Sequence, residues 1–185
     1  MCEQSVKNIF KSVKYLEISL EKAIDANNVG EPLLKSISKE LVKVYEQIAK
    51  EYEKKHAYEK SLEYYEKCLE SCKKSNNSVK EAECYFSIGL IHEKIDDLGE
   101  AVLNVNKYLE ICTEENKQQE KGQAHKKLAE LHTKLGNSTA AIDNLESLLN
   151  IAFEGKNKDG QAEAALKLGV LNYKEGIIPT SVDYL

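Results

Sequence analysis

The sequence predicts an all-α fold, a superhelical solenoid of antiparallel helix pairs with a period of about 40 residues. Composition is the first observation behind this prediction. Leu, Lys, Glu and Ala dominate the 185 residues and lose little side-chain freedom in a helix, and only two Pro and nine Gly are present. The second observation is an internal repeat, because small and apolar residues recur in register through four successive segments. Such units bury their apolar faces by stacking on their neighbours.

The first element is an amphipathic helix predicted within residues 1–30. Its apolar residues follow one another at helical spacing, with Ile9, Phe10, Val13, Leu16 and Leu20 on one face. The run "NNVGEP" then interrupts the pattern, and its Pro32 suits the first turn of the next helix. Because "YLEISLEKAIDANN" echoes "YYEKCLESCKKSNN" of the first full repeat, the segment is also interpreted as half of an irregular repeat.

The repeat array is predicted to occupy residues 31–185. Its units lie near 42–81, 82–121, 122–161 and 162–185, and the last unit is incomplete. The first helix of each unit carries a large apolar residue followed by a small one, at Ile48-Ala49, Ile88-Gly89, Leu128-Ala129 and Leu168-Gly169. The second helix carries a small residue at the matching place, at Ser61, Ala101, Ala141 and Ser181. Small side chains at both places predict a close crossing of the two helices in each pair.

The turn inside a unit is clearest at "LGNST", residues 135–139. Gly136 suits the end of one helix, and Asn137 or Ser138 can cap the helix that follows. In the last unit, Pro179 falls at the corresponding start of a second helix, where its missing N–H is not needed. Since the sequence stops partway through that helix, we expect it to be a fragment of a longer protein or a truncated gene product.

These units resemble the tetratricopeptide repeat family. The resemblance is carried by the Leu-Gly, Ile-Gly or Leu-Ala pair, by a ring three residues later (His92 or His132), and then by Gly136 and Ala141. The family usually has about 34 residues per repeat, whereas this period is longer, and the Trp and the Pro at repeat ends are absent. The resemblance covers about residues 42–185. It implies a non-catalytic scaffold for protein–protein interaction, with a concave groove lined by the first helices.

A finer resemblance is to tetratricopeptide-repeat proteins of motile cilia. It is carried by two runs, residues 39–112 and residues 122–152, through their spacing, their turns and the "AI..L..LL.IA" helix. This resemblance implies a role in the assembly of ciliary or flagellar axonemal structures, with axonemal dynein or transport components as partners, and so in cilium movement. The alternative is a general cytosolic adaptor that carries cargo or a signalling peptide in its groove.

The groove implied by the family resemblance would present a set of side chains from the first helices to a partner. These candidate residues are Phe86, Leu90, Lys126, Glu130, Leu166, Val170 and Tyr173. Charged and apolar members alternate along the groove, and the apolar members suit the apolar face of a partner helix or peptide. The alternative interpretation is that neighbouring repeats, or a segment outside this sequence, cover these side chains.

Composition argues against two other classes of partner. The net charge is −5 and all 26 basic residues are Lys, so the Arg-bearing basic surface of nucleic-acid binders is missing. No apolar run approaches the ~18 residues of a membrane span, and the amino terminus lacks the apolar core of a signal peptide. We therefore expect no nucleic acid, no membrane insertion and a cytoplasmic location. The many Glu and Lys at spacing three or four are interpreted as solvated helix faces.

Cysteine and histidine were the candidates for chemistry. The five cysteines, at positions 2, 68, 72, 84 and 112, are expected to stay reduced and to pack as small apolar residues. Cys68 and Cys72 share a helical face, but a zinc site needs about two further ligands and only His56 lies in the same stretch. His92 and His132 occupy equivalent positions in successive repeats, which indicates packing. In the absence of a catalytic motif, we predict no enzyme activity, no cofactor and no metal.

Overall fold

The computed structural model describes residues 3–25 and 30–176, and this part of the chain contains eight α-helices and no strand. In chain order they are α1 (Glu3–Asp25), α2 (Glu31–Lys54), α3 (Tyr58–Ser75), α4 (Ser78–Lys94), α5 (Leu98–Glu114), α6 (Gln118–Lys134), α7 (Ser138–Glu154) and α8 (Lys158–Lys174). The predictions for Cys2, Pro179 and Ser181 lie outside the described residues. None of the described helices combines the length and the apolar character that a membrane crossing needs.

The turns set the repeat length. A residue with positive φ occupies each turn from α2 onward, and successive ones lie twenty positions apart, at His56, Asn76, Asp96, Asn116, Gly136, Lys156 and Gly176. A left-handed residue is a common way to end a helix, because it turns the next N–H back onto the last carbonyl groups. Two helices with their turns therefore span forty residues, in agreement with the period predicted from the sequence.

Several of the helices that follow such turns begin with a polar cap, whereas α3 and α6 begin without a side-chain cap. The Asn137 side chain accepts a hydrogen bond from the backbone N–H of Ala140 at 3.3 Å, and Asp97 and Asn157 cap α5 and α8 in the same way. Of the two caps proposed from the sequence, Asn137 is therefore the one used. Ser138 lies one residue later and its hydroxyl donates to Glu175 Oε1 at 2.6 Å.

The chain divides into two compact units, and the first comprises Met1–Ile91. Within it α1 packs on α2 and α2 packs on α3, around a core that includes Leu41, Tyr65 and Ile91. The predicted close crossing is present between α2 and α3. Ala49 and Ser61 are both fully buried there, and the Ser61 hydroxyl donates to the Ala49 carbonyl oxygen at 2.8 Å. A larger side chain at either position would force the two helices apart.

The second unit comprises His92–Leu185. Here α5 packs on α6, α6 on α7 and α7 on α8, so each helix contacts its neighbour in the sequence. The core of α6, α7 and α8 contains Ala129, Ala141 and Leu168 at the predicted repeat positions, together with Leu145 and Leu171. Side chains at helical spacing therefore form the packed face, as the apolar periodicity predicted.

Candidate functional site

One cavity in the second unit gathers part of the predicted groove. It has a volume of about 490 Å³ and lies between α6 and α8. Glu130 from α6 lines it together with Leu166 and Val170 from α8, and buried Leu145 and Leu171 contribute apolar surface. We call it the α6–α8 cavity, and its full lining is Ala129, Glu130, Thr133, Lys134, Leu145, Leu166, Lys167, Val170, Leu171 and Lys174.

An exposed apolar stripe runs along α8 beside this cavity. Leu166, Val170 and Tyr173 are 54%, 46% and 69% exposed, and their spacing of four and three places them on one face of the helix. We call these three residues the α8 stripe. Leu166 and Val170 belong to both the stripe and the cavity, whereas Tyr173 is not among the cavity-lining residues. Contiguous apolar side chains on a surface often mark a binding site.

Three lysines and one carboxylate line the cavity, and two of the lysines, Lys134 and Lys167, are paired with carboxylates of the chain itself. The third lysine is Lys174, and the carboxylate is that of Glu130. Burial alone would raise the pKa of Glu130, but hydrogen bonds from Lys127 and Lys167 outweigh it and lower that pKa. Glu130 is therefore ionised and already engaged at neutral pH. The remaining positive charge around the cavity favours a partner that carries acidic groups.

The other predicted groove residues lie elsewhere. Lys126 forms an ion pair with Glu163, with Nζ 2.7 Å from Oε1, and lines a second cavity of about 830 Å³ together with Leu148 and Ile151. Phe86 and Leu90 belong to the first unit, where both are half-buried on α4. The structure thus brings Glu130, Leu166 and Val170 around one cavity, and Tyr173 follows Val170 on the same face of α8. The seven-residue groove as a whole stays a prediction.

A set of ion pairs joins successive first helices of the repeats, and charge spacing of three or four within one helix does not predict them. In the second unit, the Glu93 carboxylate of α4 forms ion pairs with two lysines of α6, with Lys127 Nζ at 3.2 Å and Lys134 Nζ at 2.7 Å. Glu130 of α6 receives Lys167 of α8 at 3.4 Å. In the first unit, Lys80 of α4 contacts Glu46 of α2 at 3.1 Å.

These contacts correct the interpretation of Glu and Lys as solvated faces only. The sequence did contain a signal, because several partners are separated by slightly less than one repeat, 34 residues for Lys80 with Glu46 and 37 for Lys167 with Glu130. A search for opposite charges at that separation, instead of at three or four, would have found them.

The histidines pack without forming a cluster. His92 Nδ1 lies 3.4 Å from Asp97 Oδ2, and His132 Nδ1 is buried with no hydrogen-bond partner among the described residues. His125 pairs with Asn144 Oδ1 at 2.9 Å. None of these three belongs to a group of metal-ligating side chains in the described part of the chain. The arrangement agrees with the packing role inferred from the equivalent positions of His92 and His132.

Three cysteines do form a cluster. Cys68 and Cys72 of α3 meet Cys84 of α4, and the three sulfur atoms lie within 4.8 Å of one another. All three side chains are buried, as is Cys112, so the burial expected for these four residues is confirmed. The Cys84 thiol donates to the Cys68 sulfur at 3.2 Å, and the Cys68 thiol points at the Val42 carbonyl oxygen at 3.5 Å.

The three thiols do not ionise independently. Contacts with the Cys68 and Cys84 thiols lower the pKa of Cys72 despite its burial, and the charge of Lys80 acts in the same direction. The same contacts raise the pKa of Cys84, and the hydrogen bond with Cys72 raises that of Cys68. The sequence linked Cys68 with Cys72 by helical spacing, but Cys84 joins them only through the packing of α3 against α4.

Comparison with protein families gives a match to the tetratricopeptide repeat family over residues 40–114. The search of curated proteins gives no match. Among solved structures, the chain is similar to BtubC (BKLC) from P. vanneervenii, with a TM-score of 0.66 and 17% identity over 98% of this chain and 72% of that one.

Two further similar structures are Rap proteins. The apo form of RapI gives a TM-score of 0.72 and 16% identity over 98% of this chain, which spans 48% of RapI. A Rap protein complexed with Competence and Sporulation Factor gives a TM-score of 0.59 and 16% identity over 100% of this chain and 54% of that one. These likenesses, together with the family match, confirm the all-α tetratricopeptide-repeat fold. The chain spans about half the length of the two Rap proteins.

Proposed function

We propose that this chain, which has the tetratricopeptide-repeat fold, is a non-catalytic module that binds a short amphipathic helix or peptide of a partner protein in the α6–α8 cavity. The single observation that carries the proposal is the α8 stripe, because its three large apolar side chains are exposed on one face of the helix and two of them, Leu166 and Val170, line that cavity. Burying them against a partner yields about 25 cal/mol per Å² of apolar surface removed from water. No family match indicates a catalytic activity.

The charges around the cavity define the partner more closely. Lys174 has no ion pair among the described residues, and Lys134 and Lys167 are engaged with carboxylates of the chain itself. A partner with an apolar face flanked by Asp or Glu would bury the α8 stripe and pair with Lys174. Apolar anchors at i, i+3 or i+4 and i+7 with acidic neighbours are therefore the expected motif. The structure of a Rap protein complexed with Competence and Sporulation Factor supports the proposal, because it shows a similar fold holding a binding partner.

Selection of peptides on the purified chain tests this proposal. A displayed library of random helical peptides is enriched against the wild-type chain, and the enriched peptides are then measured against Leu166→Asp and Val170→Asp. We expect enriched sequences with apolar anchors and acidic neighbours, and at least a tenfold loss of affinity in either variant, since buried hot-spot residues contribute about 2 kcal/mol or more.

Leu103→Asp is the matched control, because Leu103 is an exposed leucine on α5 in the same unit and lies outside the cavity. Its affinity for the selected peptides should equal that of the wild type. Peptides that bind all three variants equally, or a library that yields no enrichment, would contradict the proposal.

For the cellular setting, we propose that the module acts as a scaffold in the assembly of axonemal or peri-axonemal structures, with dynein-arm or transport complexes as partners. The support is the resemblance of residues 39–112 and 122–152 to tetratricopeptide repeat protein 29 of motile cilia. Tagged protein in a motile ciliated cell should stay on the axoneme after detergent extraction. A signal lost on extraction, or a host without cilia, would favour the general cytosolic adaptor.

A further inference from the structure

We propose that Cys68, Cys72 and Cys84 form a buried, three-coordinate thiolate site for Cu(I). The site lies in the first unit, where α3 meets α4, and it shares no residue with the α6–α8 cavity of the second unit. It is independent of the proposed partner binding, so either proposal can fail without the other.

The spacing of the sulfur atoms fits one metal ion. A metal at about 2.3 Å from each of three sulfurs in a plane holds those sulfurs roughly 4 Å apart. The three sulfurs here lie within 4.8 Å of one another, and the sulfurs of Cys84 and Cys68 are 3.2 Å apart. Small rotations of the three side chains therefore suffice to surround an ion. Two of the ligands come from successive turns of α3, which holds them in a fixed relation.

The ligand set indicates which ion. Thiolates are soft ligands, and among biological metals they select Cu(I), zinc and iron–sulfur clusters. A structural zinc site is tetrahedral and needs a fourth ligand. Within the described residues no further His, Cys or carboxylate joins the group, and all three cysteines are at most 2% exposed, which leaves little room for a water ligand. Cu(I) accepts three sulfur ligands without a fourth.

Comparison of the repeats shows that packing alone does not require thiols at these positions. Cys68 is replaced by Tyr108 one repeat later and by Leu148 two repeats later. Cys72 is replaced by Cys112 and then by Ala152. Cys84 is replaced by Ala124 and then by Ala164. Alanine therefore fits the positions of Cys72 and Cys84, and larger apolar groups fit that of Cys68. Among the units that the structure describes, thiols fill all three contacting positions only where the second helix of unit 42–81 meets the first helix of unit 82–121.

Binding is a ligand exchange without a redox step. Cu(I) enters as Cu(I) from a chelator, and each thiol that becomes a ligand releases its proton to solvent, because the thiolate is the form that binds metal. The Lys80 ammonium group, which is paired with Glu46 and also acts on Cys72, offsets a part of the negative charge that three thiolates and one Cu(I) leave in the core.

Anaerobic titration of the fully reduced chain with Cu(I), in competition with the chromogenic chelator bicinchoninate, tests the site. The wild type should retain one Cu(I) per chain, and X-ray absorption should show three sulfur neighbours around it. Cys84→Ala should lose affinity by at least the ~10- to 100-fold that changes around a metal site cost. Ala124 and Ala164 show that the repeat accommodates this change, and Cys72→Ala, matched by Ala152, is the second test variant.

Cys112→Ala removes a buried thiol outside the cluster, and Cys2→Ser removes the thiol outside the described residues; both should bind like the wild type. Circular dichroism establishes that each variant is folded. Retention of Cu(I) by folded Cys84→Ala, failure of the wild type to hold Cu(I) against the chelator, or a preference for Zn(II) with four ligands would each overturn the proposal.

Discussion

Lys156 adopts a backbone conformation that an L-residue rarely holds. Its φ is +52°, and it occupies the same kind of turn as Gly136 and Gly176, where glycine has no Cβ to strain. The left-handed conformation costs a residue with a Cβ about 1–2 kcal/mol, and the greater freedom of glycine in the unfolded chain offsets roughly half of the relief. We therefore expect Lys156→Gly to stabilise the chain by up to ~1 kcal/mol, measured as an increase in the urea midpoint of unfolding.

The same substitution in a helix should have the opposite sign. Lys121 lies inside α6, and Lys121→Gly should destabilise by about 1 kcal/mol, because glycine is a poor helix former. A Lys156→Gly variant that unfolds at the same or a lower urea concentration than the wild type would show that the left-handed backbone of Lys156 does not destabilise the folded chain.

At the scale of the elements, Glu93 joins the end of α4 to α6 through Lys127 and Lys134. Burial raises the pKa of Glu93, but the hydrogen bonds from the two lysines outweigh it and lower that pKa below its usual range. A carboxyl whose pKa is lowered on folding contributes stability above its unfolded pKa of ~4.3, and this stability is lost as the pH falls through the lower folded value.

Glu93→Gln should therefore cost about 1 kcal/mol of unfolding free energy at neutral pH, and the difference from the wild type should close below ~pH 4. Urea unfolding of both proteins at a series of pH values measures this difference in unfolding free energy. Glu110→Gln on α5 is the control, since Glu110 is exposed and has no ion pair among the described residues; it should match the wild type throughout. A difference between Glu93→Gln and the wild type that persists at the acidic end would show that the lost stability is not electrostatic.

The elements differ in how far the sequence predicts them. Apolar spacing at three and four and the turn at Gly136 predict the helices, because helical periodicity and helix ends are local properties of the chain. The pairing of Lys127 with Glu93 and the addition of Cys84 to Cys68 and Cys72 depend on which helix faces which, so local spacing does not contain them. Repeat symmetry supplies part of that information, as the ion-pair separation of slightly less than one repeat illustrates.

The candidate site was predicted less completely than the fold. Leu166, Val170 and Glu130 were placed on the groove by their equivalent repeat positions, and the structure gathers them at one cavity. The exposure of the α8 stripe depends on which elements pack against it. Lys134 and Lys174 also line the cavity, and neither is among the groove residues predicted from the sequence. Exposure and charge balance are properties of the folded surface, so the repeat period of the sequence does not predict them.

At the scale of the whole molecule, proteins of only 16–17% identity share this fold. The fold therefore does not determine the binding partner, which depends on the surface side chains. Partner choice in this chain is attributed to the α8 stripe and its lysines. That attribution leads to a spatial prediction: a bound peptide touches α6 and α8 in the second unit and leaves the rest of that unit's surface free.

Methyl NMR spectra of the isotopically labelled chain, titrated with a peptide selected on it, measure this contact directly. We expect the methyl signals of Leu145, Leu166, Val170 and Leu171 to shift as the peptide binds, and those of exposed Leu103 to stay in place. Shifts centred on Leu103, or on Leu148 and Ile151 of the second cavity, with none at the α8 stripe, would contradict the assignment of this surface as the partner-binding site.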